Sequence, residues 1–541
     1  MTQWISAGQL VKIIKDEKEF AIVDVREQGD FSKAHILLSS CIPLSRMELE
    51  VTERIPRVTT RIILVDDGPL DPLGLAERAV ERLRALGYDK VSVLEGGIDG
   101  WRNEGLELYS GVNVLSKAFG EFVETTYHTT HITAPELKVK LEQGENLIVF
   151  DARPREEYHR MSIPGAINVP GGELVYRFFE TVQDSETHVI INCAGRTRSI
   201  IGAQSLINAG VPNPVFALKN GTMGWHLAGF HLEHHQDRTA PIPSANNLEK
   251  ARAHVTGIVE RFGVKRIDYR TLESWMKNAD ERTVYVLDVR LPEEYESARL
   301  EGSRNAPGGQ LIQATDEYMA VRNARVVLVD DNEIRAVMAA SWLIQMGWPH
   351  VFVLSGGITT GELIQGSQTP KPPEQRNAPG ISVAELRHVL DSHNNSVLID
   401  FATSRQYQDC HIPSAVWIIR SRLQLDIKKI SDADMLILTS PDGVLADLAA
   451  ADMNEMFPDI PVRILEGGTR AWIKAGLPTE SGMMHALSPV CDVWYKPYES
   501  KDAAEKAMKA YLDWEVALID QIRRDDTIPF RAYPRRGFSG A

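Results

Sequence analysis

The sequence predicts an α/β protein of four tandem domains, each a doubly wound, mainly parallel sheet with helices on both faces. Three observations carry that reading. The chain has 541 residues, too many for one core, since single domains stop growing near about 250–300 residues. An apolar strand ending in aspartate is written four times, as AIVDVREQGDF around Asp24, LIVFDARPREEY around Asp151, VYVLDVRLPEEY around Asp288 and VLIDFATSRQY around Asp400, at intervals of 127, 137 and 112 residues; that is the spacing of compact domains, not of a solenoid. These strands are apolar without strict alternation and are separated by helix-period stretches, as in a parallel sheet covered on both faces.

Each copy follows one order. Ser6, Thr133, Asp268 and Ser382 stand as helix caps before AGQLVKII, APELKVKL, YRTLESWM and VAELRHVL, because their side chains can accept an amide of the first turn. The strand ending in aspartate comes next. A second apolar strand (RIILV, HVIIN, ARVVLV, MLILT) leads into another helical stretch, and a third short strand closes on VLEGG, ALKNG, VLSGG or ILEGG. The domains expected are 1–112, 127–240, 265–366 and 380–482. Helical linkers fill 113–126 and 241–264, a proline-rich extended linker 367–379, and a helical tail 483–541. The linker helices read as packing struts or subunit contacts, since their apolar spacing is ordinary amphipathic spacing.

A formal net charge of −15 argues against a broad nucleic-acid or anionic-membrane surface, which needs a concentrated basic face. A local basic pocket for a small anion remains compatible with it. No run of 18 apolar residues and no early apolar stretch after Met1 is present, so neither a membrane span nor an export signal is expected and a cytoplasmic location is the default. Cys41, Cys193, Cys410 and Cys491 lie far apart with no CxxC, unlike a disulfide or zinc scaffold.

Chemistry concentrates in HVIINCAGRTRSIIGAQSLINAG, His188 to Gly210. In doubly wound sheets ligands bind beyond the carboxyl ends of the strands, and Cys193 stands at such an end, just before a helix. Ala194 to Ser199 can turn their amides inward at the sulfur, and with the helix dipole these favour a thiolate of lowered pKa. Arg196 and Arg198 add cations that grip an oxyanion with paired bonds. A nucleophilic sulfur attacking an anionic substrate is the expectation. Cys193 follows Asp151 by 42 residues, as Asp66 follows Asp24 and Asp330 follows Asp288, while Ser440 follows Asp400 by 40. Only one copy therefore carries the thiol. Carboxylates at Asp66 and Asp330 would mimic a thiolate's charge at a helix start, keeping the loop folded without nucleophilicity.

DARPREEY…IPGAINVP (Asp151 to Pro170), the loop Cys193-Ala-Gly-Arg-Thr-Arg198 and the closing KNGTMGW (Lys219 to Trp225) together resemble the rhodanese homology domain. LEGGIDGW (Leu94 to Trp101) and LEGGTRAW (Leu465 to Trp472) extend the resemblance to other copies, over most of residues 1–480. It implies a four-repeat sulfurtransferase with one competent domain, a small anionic sulfur donor such as thiosulfate, and a thiol or cyanide acceptor. Cys193 would be the nucleophile and persulfide carrier, Ala194, Gly195, Thr197 and Ser199 would cradle the sulfur, and Arg196 and Arg198 would hold the donor's oxyanion and stabilise the leaving sulfite. No metal or organic cofactor is implied, and a homo-oligomer is compatible with the linker helices. Ser162 replaces the histidine that often precedes Ile-Pro-Gly-Ala, as His35 and His411 do here, so histidine is not the base. His226, His231, His234 and His235 read as surface or packing residues, without a metal-ligand pattern around them. Asp151 and Arg153 read as a structural pair.

Two other readings compete. A cysteine phosphatase or arsenate reductase places its arginine six residues after the cysteine; here Ser199 stands there, so the loop is one residue short for a phosphoryl group. A persulfide carrier or sensor would deliver sulfur to a partner protein through the inactive domains.

Overall fold

The computed structural model describes residues 2–69, 71–366, 377–392, 395–427, 433–499 and 504–533. Each repeat forms a five-stranded, all-parallel sheet. In the second the order is His131–Ile132, Val215–Leu218, His188–Asn192, Leu147–Asp151, Ile167–Asn168. The other three sheets repeat that order. The sequence pattern announced the three inner strands. The two edge strands, such as Ser39–Cys41 or Ile167–Asn168, are only two or three residues long, too short to show a period.

Leu147–Asp151 and His188–Asn192 lie side by side, and their following crossovers run to opposite edges of the sheet. That is the switch point at which a crevice opens beyond the strand ends. The loops after Asp151 and Asn192 meet there.

All four expected caps hold their helices: the side chains of Ser6, Thr133, Asp268 and Ser382 accept the amides of Gln9, Glu136, Thr271 and Glu385. Asp151 and Arg153 are fully buried and joined by paired bonds, Nε to Oδ1 at 2.8 Å and Nη2 to Oδ2 at 2.7 Å. Asp24 with Arg26 and Asp288 with Arg290 repeat the arrangement. In the fourth copy Ala402 replaces the arginine, and burial pushes the Asp400 carboxyl up to about 7.

The repeats pack through matching loops. Gly172 of the second faces Gly309 of the third so closely that a Cβ on Gly172 would lie 2.8 Å from the Gly309 nitrogen. Arg335 of the third reaches Glu173 of the second at 2.9 Å. Between the first and fourth, Arg420 bonds Glu48 at 2.9 Å. The helix Val114–Tyr127 packs against Thr197–Ala209 and against the tail helix Ala504–Arg524. Most of the expected proline-rich linker, 367–376, lies outside the described residues. No helix among the described residues is long and apolar enough to cross a membrane.

Candidate active site

The strand His188–Asn192 ends at Cys193, and the helix Thr197–Ala209 begins four residues later. No side chain caps that helix, so its first-turn amides are left to face the loop. The Ser199 hydroxyl donates to the Arg196 carbonyl at 2.7 Å and tightens the turn. The Asn-Gly signature closes the loop from the other side: Thr222 and Met223 amides donate to the Cys193 and Ala194 carbonyls at 2.8 and 3.0 Å. Gly221 has φ +53°, and a Cβ there would sit 2.3 Å from the Cys193 carbonyl oxygen. Only glycine fits that approach.

The degenerate copies display what the loop amides do. In the third, Asp330 Oδ1 accepts the amides of Asn332 and Glu333 at 3.3 and 2.6 Å, and Oδ2 those of Arg335 and Ala336 at 3.0 and 3.2 Å. Asp66 accepts from Gly68 and Ala76 at 2.8 and 3.2 Å, and Ser440 Oγ from Gly443 and Ala446 at 3.1 and 3.3 Å. At Cys193 the Ser199 amide takes the same part, pulling the thiol pKa down. The loop is a built anion nest with a different occupant in each copy.

Two expectations change. Cys193 is 1% exposed, and burial raises its thiol pKa, outweighing the Arg198 cation and the Ser199 hydrogen bonds that pull it down. The resting thiol is thus harder to ionise than an ordinary one, not easier, because desolvation penalises the thiolate. Arg196 does not face the sulfur's cavity with a free guanidinium. Its Nε and Nη2 bond Glu121 at 2.7 and 2.8 Å, and Nη2 also reaches Glu124. It ties the loop to the helix Val114–Tyr127. Gly120 of that helix permits the approach, since a Cβ there would meet the Thr197 Cα at 3.1 Å.

Arg198 keeps its place beside the sulfur. Its Nη1 and Nη2 bond Glu157 at 3.3 and 2.9 Å, and Lys496 reaches the same carboxylate at 3.0 Å. Against a desolvation that would raise it, Arg198 and Lys496 hold the Glu157 carboxyl well below the usual range. Two of the five guanidinium donors are used this way.

Cys193 and its loop, Ala194 to Arg198, line a cavity of about 260 Å³. Glu157 and Met223 of the same domain also line it, and the remaining walls come from outside the second domain. Lys117 enters from the helix Val114–Tyr127, Gln313 and Glu317 from the third repeat, and Trp494, Tyr498 and Glu515 from the tail. This overturns the reading of the linker and tail helices as struts alone: both carry cavity residues as well as packing ones. Lys117 is buried, donates to the Val112 carbonyl and lies 5.1 Å from the Trp494 ring centre. Nothing in the sequence flagged these side chains, since a lysine or glutamate on an amphipathic helix is ordinary. His231, His234 and His235 are exposed and His226 half-buried, and none lines this cavity.

Comparison with known proteins agrees with this geometry. The Rhodanese-like domain family matches residues 6–104, 133–228, 271–361 and 382–475. A crystal structure of thiosulfate sulfurtransferase from Pseudomonas aeruginosa is 45% identical, covers 98% of this chain and 100% of its own, and superposes with a TM-score of 0.94. The 3-mercaptopyruvate sulfurtransferase of Escherichia coli K12 is 27% identical over 263 residues, covering 39% of this chain and 91% of that protein. An HTH-type transcriptional regulator of Mycobacterium tuberculosis, Rv0324, is 35% identical over 111 residues, covering 20% of this chain and 46% of that protein. With four matched segments, one per sheet, the chain belongs to the rhodanese-like family.

Proposed function

We propose that the protein is a thiosulfate sulfurtransferase that carries sulfur as a persulfide on Cys193. The observation that carries the reading is the coincidence of one thiol, an amide nest and the Arg198 cation at the floor of one cavity. The 45% identical thiosulfate sulfurtransferase supports the choice of donor. The thiol ionises as the donor enters, with Arg198 and the Ser199 hydrogen bonds holding the thiolate. The thiolate attacks the outer sulfur of thiosulfate, a Cys193 S–S bond forms, and the donor's S–S bond breaks with its electron pair leaving on sulfite. The free donors of Arg198 receive the sulfonate oxygens, and the amides of Ala194 to Ser199 hold the charge on the persulfide. An acceptor then attacks the terminal sulfur and the bonding pair returns to Cys193: cyanide leaves as thiocyanate, a thiol as its persulfide. Because the sulfur is buried, the acceptor is a small molecule, which disfavours direct delivery to a partner protein.

Intact-protein mass spectrometry after thiosulfate treatment tests this. One added sulfur, mapped to the peptide carrying Cys193 and lost on adding cyanide, is expected. No added sulfur, or sulfur located on Cys41, Cys410 or Cys491, would overturn the assignment.

A further inference from the structure

One buried ionisable group in this cavity has no part in the mechanism above. Glu515, on the tail helix Ala504–Arg524, is 2% exposed and lines the cavity that holds Cys193. Its Oε1 accepts from the hydroxyls of Tyr511 at 3.1 Å and Thr197 at 3.3 Å. Its Oε2 is buried without a hydrogen-bond partner. That oxygen lies over the catalytic loop, 3.0 Å from where a Cβ on Gly195 would stand.

A buried carboxylate oxygen without a partner is costly, and a charged one in the cavity that receives a dianion would also repel it. A protonated carboxyl in the same place does neither, because its O–H can donate to an incoming oxyanion. Resting on the reading of this site as one for an anionic sulfur donor, we propose that Glu515 is a binding residue in its protonated form, donating a hydrogen bond from Oε2 to the donor's sulfonate, so that donor binding takes up a proton as the solution becomes alkaline. The groups that face it are consistent with a carboxyl near its titration point. From the linker helix come Lys117, Glu121 and Glu124; from the loop, Arg196, Arg198 and Cys193; from its own helix, Tyr511. Across the cavity stand Glu157, Lys496 and Tyr498, with Glu317 from the third repeat, and Asp316 acts on Lys117. Burial raises the Glu515 carboxyl to about 7, against the pull of Lys117, and burial likewise lowers Lys117.

Inorganic sulfate, which neither reacts nor titrates in this range, is the probe. Its competitive inhibition constant against thiosulfate is measured from pH 6 to 9 on the full chain. In the unsubstituted protein the constant should rise about tenfold per pH unit above neutrality, the slope of a single linked proton. In Glu515→Gln, whose amide donates at every pH, it should be flat. Lys117→Arg separates the two coupled groups: its slope should persist. A slope unchanged in Glu515→Gln, or one that vanishes in Lys117→Arg, overturns the proposal. Loss of kcat in Glu515→Gln with an unchanged sulfate slope also overturns it, and would make the residue a base. If the glutamine variant fails to fold, calorimetric titration of the unsubstituted protein with sulfate at pH 8, in two buffers of different ionisation enthalpy, should show close to one proton taken up; none taken up overturns it. Failure of the sulfurtransferase reading is a separate result, seen as absence of thiosulfate turnover and of added sulfur on Cys193.

Discussion

Replacing Arg196 with methionine separates two roles for a cation beside the catalytic loop. The guanidinium is buried with Glu121, each side chain 5% exposed, and also pairs with Glu124. Removing one partner of such a pair leaves an uncompensated buried charge, at a cost of about 3–5 kcal/mol. The lower end applies here, because burial already raises the Glu121 carboxyl and protonation relieves part of the penalty. A loss of about 3 kcal/mol corresponds to roughly a hundredfold in an equilibrium. A chain of several domains does not unfold in one step, so the readout must be local: the labelling rate of buried Cys193 by a bulky thiol reagent in native buffer. Arg196→Met should speed labelling by roughly a hundredfold, and Arg196→Met with Glu121→Leu should recover at least half of the loss, since no unpaired charge remains. The KM for thiosulfate should change less than twofold where the variant is folded. Unchanged labelling together with a KM raised tenfold or more would refute this account and restore Arg196 as a donor ligand.

Cys193→Ala should abolish transfer while leaving the fold intact, and Arg198→Ala should raise the thiosulfate KM by tenfold or more while some persulfide still forms from better donors; steady-state kinetics and intact mass check both. With its thiol raised by burial, Cys193 should react with neutral iodoacetamide about tenfold faster per pH unit from 7 to 9, and a plateau below pH 7 would contradict that direction. Gly221→Ala places a Cβ against the Cys193 carbonyl at φ +53°; it should cost at least about 1–2 kcal/mol and depress kcat, whereas the matching Gly97→Ala in the first repeat should destabilise without slowing transfer. Asp400 has a folded-state value raised to about 7 by burial, so its contribution to stability is complete below the ordinary carboxyl value, falls as pH rises and is gone above 7. Denaturation of the fourth repeat between pH 4.5 and 7.5 should show that loss in the unsubstituted chain and not in Asp400→Asn.

The layered sheets were legible because continuous apolar strands, side-chain caps and Gly-containing closures recur four times, and each has a local cause. The nest was legible for the same reason: a cysteine between a strand and a helix, exchanged for aspartate at Asp66 and Asp330, points to one anion-holding turn. What the sequence did not show depends on contacts between distant segments. Arg196 and Arg198 look alike in CAGRTR, yet one meets Glu121 and the other Glu157, and only the packing of the helix Val114–Tyr127 decides which. The raised thiol pKa escaped for a related reason. Amides and arginines near Cys193 are written next to it, while the burial that outweighs them arises only in the packed fold, where a tail more than 300 residues further on supplies cavity walls.

That distance bears on why three copies without a thiol are kept. The floor of the cavity, Cys193 to Arg198, belongs to one repeat together with Glu157 and Met223, but most of its walls do not. Lys117 comes from the helix after the first repeat and Glu317 from the third, and the tail that supplies Trp494 and Glu515 follows the fourth. Arg335 occupies in the third repeat the place that Arg198 holds in the second, and there it is spent on Glu294 and on Glu173 of the neighbouring repeat. The Asp330 carboxylate fills the nest beside it, closing that loop to an incoming anion. The third repeat therefore keeps the loop as a packing surface, with its arginine paired both within the repeat and across to its neighbour. Excising the second domain alone would leave Glu157 partnered by Arg198 but without Lys496, and would open the sulfur to water from the sides now covered by the tail. The isolated domain should accordingly alkylate faster at Cys193 than the full chain and lose the alkaline fall in sulfate affinity that Glu515 confers; equal rates and an equal pH slope in the two would show that the other repeats are dispensable to the site.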